Sequence, residues 1–182
     1  ALSKEAETSN PAFHPLKAGN RKDEIRKQGA TEQCHQWDYH VRLLGGVSMN
    51  FREFIKKGLV RKASPDPQLL QSLKKVIEND LKYLETVTVT ELSARKLIGN
   101  YYDALRTILE AMALKEGYKV YAHEPFVAFL KEKGKEILAE RFDRFRKLRN
   151  NLNYYGASIT VDEAIQNKEE MLKVITALRQ EL

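Results

Sequence analysis

The sequence predicts an all-α protein, an antiparallel four-helix bundle with one additional short helix, occupying residues 67–182. Three observations predict it. Apolar residues recur at three- and four-residue spacing through four long segments, the period of a helix with one dry face. These segments are punctuated by capping residues and by glycines placed where helices stop. No segment alternates long enough to require a strand, and no internal repeat is visible.

The first long helix opens at Asp66-Pro67, an N-cap followed by proline at the first helical position. Its apolar positions are Leu69, Leu70, Leu73, Val76, Ile77, Leu81 and Leu84, after which the β-branched run Thr86-Val87-Thr88-Val89 interrupts it. Thr90 is placed to cap the second helix, which runs to Glu116 and stops at Gly117. Its apolar set, Leu92, Leu97, Ile98, Tyr101, Tyr102, Leu105, Ile108, Leu109 and Met112, covers more than one face, so this helix is expected at the centre. Pro125 starts a short helix through Lys133 with Phe126, Val127, Phe129 and Leu130 facing inward, closed by Gly134. A third long helix follows from Lys135 to about Tyr155 with the stripe Leu138, Phe142, Phe145, Leu148 and Leu152, and Gly156 stops it. Thr160-Val161-Asp162-Glu163 reads as a capping box for the last helix, with Ala164, Ile165, Leu172, Ile175 and Leu178 expected inside.

Residues 1–48 read differently, as an irregular extension. They hold three of the four histidines, the only tryptophan (Trp37), the only cysteine (Cys34) and four of the nine glycines, with no sustained periodicity. Gly45-Gly46-Val47 just before Met49 can be encoded as a purine-rich ribosome-binding site, so Met49 is expected as a native start; a genuine arm folding over the bundle is the alternative. Residues 49–66 are expected to be a lead-in segment. The cluster Cys34-His35-Gln36-Trp37-Asp38-Tyr39-His40 has metal-ligand residue types but no second cluster to complete a zinc site, so no metal or other cofactor is expected.

Composition bounds the function classes. No stretch approaches the roughly 20 apolar residues that span a bilayer, no secretory signal is visible, and one cysteine cannot form an internal disulfide. A cytoplasmic protein without a membrane partner is the expectation. The formal net charge of +6 favours anionic partners such as RNA or nucleotide phosphates, though such a charge also serves solubility alone.

The charge is concentrated. Arg141, Arg144, Arg146, Lys147 and Arg149 fall within nine positions against Asp143 alone. With Phe142, Phe145 and Leu148 inside, these cations are expected outward, either as a ladder for phosphates or as a solvated face near a helix C-terminus. Arg149 sits at the edge of the apolar stripe, where an arginine must pair or face an interface. Asn150, Asn153 and Tyr154 gather beside it, as a polar cap or as a binding cluster.

Three segments resemble the HEPN family of helical nucleotide-binding domains: Asn100-Tyr101-Tyr102-Asp103-Ala104-Leu105-Arg106, Ala122-His123-Glu124-Pro125-Phe126-Val127-Ala128-Phe129-Leu130, and Leu148-Arg149-Asn150-Asn151-Leu152-Asn153-Tyr154. The resemblance spans about residues 67–182. It implies a homodimer, a nucleotide or RNA ligand held by Arg149, Asn150, Asn153, Tyr154, Arg146 and Tyr102, and a minimal nucleotidyltransferase as partner in a toxin–antitoxin-type system. Ribonuclease members carry a histidine after the arginine, with four to six residues between the two. Here Tyr154, Tyr155 and Gly156 stand in that window. A phenol with an ordinary pKa near 10 is a poor acid–base group at neutral pH, whereas imidazole at about 6.5 is a good one. The expectation is therefore a non-catalytic binding module. The alternative is a metal-independent ribonuclease whose catalytic candidates are Arg149 with Tyr154 or His123.

Overall fold

The computed structural model describes residues 49–182. The internal-start reading of residues 1–48 and the Cys34–His40 cluster lie outside the described residues. Among the described residues there are six helices and one two-stranded sheet: α1 (Phe51–Lys56), β1 (Val60–Lys62), α2 (Pro67–Thr86), α3 (Ala94–Lys115), β2 (Tyr118–Val120), α4 (Pro125–Glu132), α5 (Glu136–Tyr154) and α6 (Val161–Arg179). The described chain is thus mostly helical, as the periodicity predicts. None of these helices is long and apolar enough to cross a membrane.

The local signals work as their chemistry requires. Asp66 accepts the Leu69 N–H at 2.9 Å, with Pro67 opening α2. Thr160 accepts from the Glu163 N–H at 3.2 Å while the Glu163 carboxylate accepts from the Thr160 N–H at 2.9 Å, a reciprocal capping box. Thr90 accepts from the Ser93 N–H at 3.2 Å and the Ala94 N–H closes onto its carbonyl at 2.8 Å, so one turn precedes α3 proper. Gly156 takes φ +66° and the Ala157 N–H returns to the Asn151 carbonyl at 3.2 Å, so a left-handed glycine ends α5.

Helix α3 is the hub: it packs on α2, α5, α6 and β2. Thirteen of its residues are buried, Tyr101 and Tyr102 among them, which is the many-sided burial its apolar set predicts. Helix α2 has one principal neighbour, α3, and needs only a narrow seam. It buries Ile77, Leu81 and Leu84, leaving Leu69 and Val76 exposed at 41% and 47%, contrary to the expected stripe. Leu92 is almost fully solvent-exposed because it lies in the turn before α3, out of register with the helical face. On α6 the seam runs through Ala164, Met171, Val174, Ile175 and Leu178, so Ile165 faces outward. On α4, Ala128 is buried and Val127 only half-buried.

The sheet corrects the expectation that no strand is needed. β1 pairs antiparallel with β2 in the register Val60↔Val120, Arg61↔Lys119, Lys62↔Tyr118. Three-residue strands are too short to show a period, and their partners lie about sixty positions apart in the chain. Gly117 enters the sheet at φ +78°, where its carbonyl accepts from the Ala63 N–H at 2.8 Å; an added Cβ would come within 3.3 Å of the Ala63 oxygen. Residues 49–66 therefore contribute to the core rather than merely lead into it. Asn50 and Glu53 form a capping box for α1, and Phe51, Phe54 and Val60 are buried. Phe51 meets Tyr118 edge-on at 5.2 Å and Phe129 at 5.5 Å, tying α1 to both β2 and α4.

Candidate functional site

Tyr102 anchors the site from the middle of α3. Its ring lies against Phe142 of α5, centroids 5.6 Å apart and planes 19° apart, and is fully buried. Its hydroxyl is 2.6 Å from Nδ1 of His123 in the turn before α4. Burial pushes the Tyr102 phenol well above its ordinary range; Arg146, Arg149 and Arg106 oppose the shift without cancelling it. Tyr102 thus keeps its proton, and the pair is satisfied when neutral His123 accepts it at Nδ1.

Phe142, Phe145, Arg146 and Arg149 are separated by three, one and three residues, so all four fall on one face of α5. Arg146 is consequently inward, not outward with the rest of the ladder. It is 8% exposed, donates from Nε to Asp143 at 2.9 Å and from Nη2 to the same carboxylate at 2.8 Å, and lies 3.5 Å from Glu124. Asp143 also holds Lys147 at 2.7 Å. Burial alone would raise the Asp143 carboxyl, but the hydrogen bonds from Lys147 and Arg146 outweigh it and hold the group below the usual range. Arg144 pairs with Glu170 of α6 and stacks over Phe145 at 4.9 Å. Three members of the basic ladder are therefore held by carboxylates of the fold, and Arg141 is exposed.

Arg149 is arranged differently. Its guanidinium carbon stands 6.0 Å from the Tyr102 ring centroid and 5.2 Å from that of Tyr154. Nη1 donates to the Tyr154 hydroxyl at 2.7 Å and, at a longer 3.4 Å, to Asn150 Oδ1. Its Nε is buried and has no hydrogen-bond partner among the described residues. An unpaired buried donor on a cation is costly, and Nε is one half of the edge with which arginine grips phosphate or carboxylate. Tyr154 is 49% exposed, and Asn153 is exposed beside it.

The residues expected at a site therefore divide. Tyr102, His123, Arg149, Asn150 and Tyr154 are linked by contacts from three separate segments of chain. Arg146 lies next to them with its guanidinium engaged by acids, and Asn153 stays at the surface. Asp103 and Glu124 were not singled out from the sequence. Burial raises the Asp103 carboxyl, with Arg149 and Arg106 pulling it down, and Glu124 caps Arg146. The adjacency of Asp103 to Tyr102 and of Glu124 to His123 is the signal that would have found both. Among the described residues no group of three or more His, Cys, Asp and Glu is placed to hold a metal ion.

Comparison with family models, with curated proteins and with solved structures found no match to this chain.

Proposed function

We propose that the chain is a HEPN-type module that binds a nucleotide or RNA at Arg149 without cleaving it. On this reading the architecture is the family's antiparallel four-helix bundle with a short extra helix. The protein works as a homodimer beside a minimal nucleotidyltransferase in a toxin–antitoxin-type system. One observation carries the reading. The three segments on which the resemblance rests meet at Tyr102, which His123 bonds and Arg149 approaches, and the Arg149 guanidinium lies near two tyrosine rings and keeps one buried donor unpaired. An anionic group entering beside Tyr154 would satisfy that donor, and the exposed Tyr154 ring offers a face for a base.

The second reading, a metal-independent ribonuclease, draws on His123. It is the one imidazole among the described residues, and it shares Tyr102 with Arg149: Nδ1 is 2.6 Å from the Tyr102 hydroxyl, and the Arg149 guanidinium carbon is 6.0 Å from the Tyr102 ring centroid. Against it, the Tyr154 hydroxyl is already engaged as the acceptor of the Arg149 Nη1 hydrogen bond. Titration of the full chain with ATP and with short RNA, alongside an RNA cleavage assay, separates the readings. Saturable binding that Arg149→Ala abolishes, without cleavage, is expected. Cleavage lost in both Arg149→Ala and His123→Ala would replace the binding reading with the ribonuclease.

A further inference from the structure

The two-stranded ribbon carries a feature that the helical core does not require. Side chains alternate across a strand, so Val60 and Val120 turn to the core while Arg61 and Lys119 stand directly opposite each other on the outer face. Like charges in that position destabilise a sheet. Among the described residues, Arg61, Lys62 and Lys119 form no salt bridge that would relieve it. Tyr121, the residue after β2, is 43% exposed. The Arg61 guanidinium carbon is 5.4 Å and the Lys119 ammonium 5.8 Å from its ring centroid. The Tyr121 N–H donates to the Leu59 carbonyl at 2.9 Å, so the backbone beneath the ring is fixed. A solvated basic surface has no need of two opposed cations gathered about one aromatic ring.

The ribbon leads directly into the turn that carries His123. Tyr121 is two residues from His123, so their Cα atoms are at most about 7 Å apart. Along α3 a run of charges connects the ribbon with Arg149. Asp103 interacts with Arg149 and Arg106, Arg106 is paired with Glu110, and Glu110 interacts in turn with Lys119. Glu110 is itself ion-paired with Arg106.

We propose that Arg61, Lys119 and Tyr121 form a second subsite for a single strand of nucleic acid, another nucleotide of which occupies the Arg149 site. Arg61 and Lys119 contact the phosphates and Tyr121 stacks on a base, the combination by which proteins hold single strands without reading sequence. This inference rests on the binding reading of Arg149 and adds the ligand's class: an oligomer, preferred over a mononucleotide.

The test uses the full chain, a labelled single strand of about seven nucleotides in RNA and DNA versions, and ATP, with salt varied. Tyr121→Ala is expected to weaken oligomer binding roughly ten-fold, and Tyr121→Phe to retain it. Replacing both Arg61 and Lys119 with serine is expected to reduce the salt dependence, the slope of log K against log salt, by about 1.4, for two single-strand phosphate contacts. ATP affinity should be unchanged in these variants and lost in Arg149→Ala. The RNA and DNA arms show which strand is held, and the double variant's salt slope decides the matter should Tyr121→Ala unfold. If the ribbon variants keep both oligomer affinity and salt slope while Arg149→Ala loses ATP and oligomer alike, the second subsite is wrong and the Arg149 reading stands. If wild-type protein binds neither ligand, both fall. Binding of poly-glutamate as tight as that of the oligomer, indifferent to Tyr121→Ala, would also overturn the subsite.

Discussion

Arg146 and Arg149 sit one helical turn apart on the same face of α5, and they live in opposite environments. Arg146 is buried among carboxylates that neutralise it, Asp143 one turn back and Glu124 beside His123. Arg149 is half-buried between two tyrosines, bonded only to neutral oxygens, with a donor left over. The first region closes its electrostatics through direct ion pairs, whereas the second has the Asp103 carboxylate acting without an ion pair and leaves a donor open at the helix end. A basic stretch is thus not one feature: whether a cation holds the fold or a ligand depends on the acids that distant segments bring to it.

Substitutions that separate the two arginines should break or sharpen this contrast. The largest stability effect is expected for Arg146→Met. It removes the cation shared by Asp143 and Glu124, leaves Lys147 as the salt-bridge partner of Asp143, and should lower unfolding free energy by about 3 kcal/mol, read from urea titration. Tyr102→Phe removes the hydroxyl that satisfies His123 and should cost about 1–2 kcal/mol in the same experiment. Arg149→Met should change stability by less than about 1 kcal/mol, because it removes an unpaired donor along with two hydrogen bonds to neutral oxygens. Tyr154→Phe, at an exposed position, should stay within about 0.5 kcal/mol of wild type.

Acid should act on the first region. The Asp143 carboxyl is held below its ordinary range, so its contribution to stability is complete above the unfolded value near 3.9. That contribution is lost as pH falls through the lower folded value. Urea midpoints of wild type and Asp143→Asn should therefore differ at pH 6, begin to approach each other below about pH 4, and meet only once pH has passed the lower folded value. A gap that persists into acid would mean that Asp143 acts by packing and not by charge.

What could be read from the sequence follows the range of the interactions involved. Asp66-Pro67, the Thr160–Glu163 box and Gly156 act within a few residues of themselves, and each does what its chemistry predicts. The buried side of α5 was legible for Phe142, Phe145 and Leu152, which sit at helical spacing. It was misread for Arg146, although that residue is four after Phe142, because its acids come from Asp143 and, across the fold, from Glu124. The β1–β2 ribbon was illegible for a similar reason: each strand is three residues long, and only the pairing of Val60 with Val120 reveals it. Exposed Leu69, Val76, Leu92 and Ile165 show the converse, since periodicity cannot say how many neighbours a helix has. At the candidate site, Arg149, Asn150, Tyr154, His123 and Tyr102 were each visible as chemistry. Their meeting point required the packing of α3, α5 and the turn before α4.

The central claim is that Arg149 serves a ligand while Arg146 serves the fold. The most direct measurement is calorimetric titration of ATP and a short single-stranded RNA into wild type and Arg149→Ala, with urea midpoints recorded for both. Saturable binding by the wild type, weakened at least about ten-fold in Arg149→Ala at an unchanged midpoint, is the predicted result. Equal binding by both proteins, or none by the wild type, would contradict it.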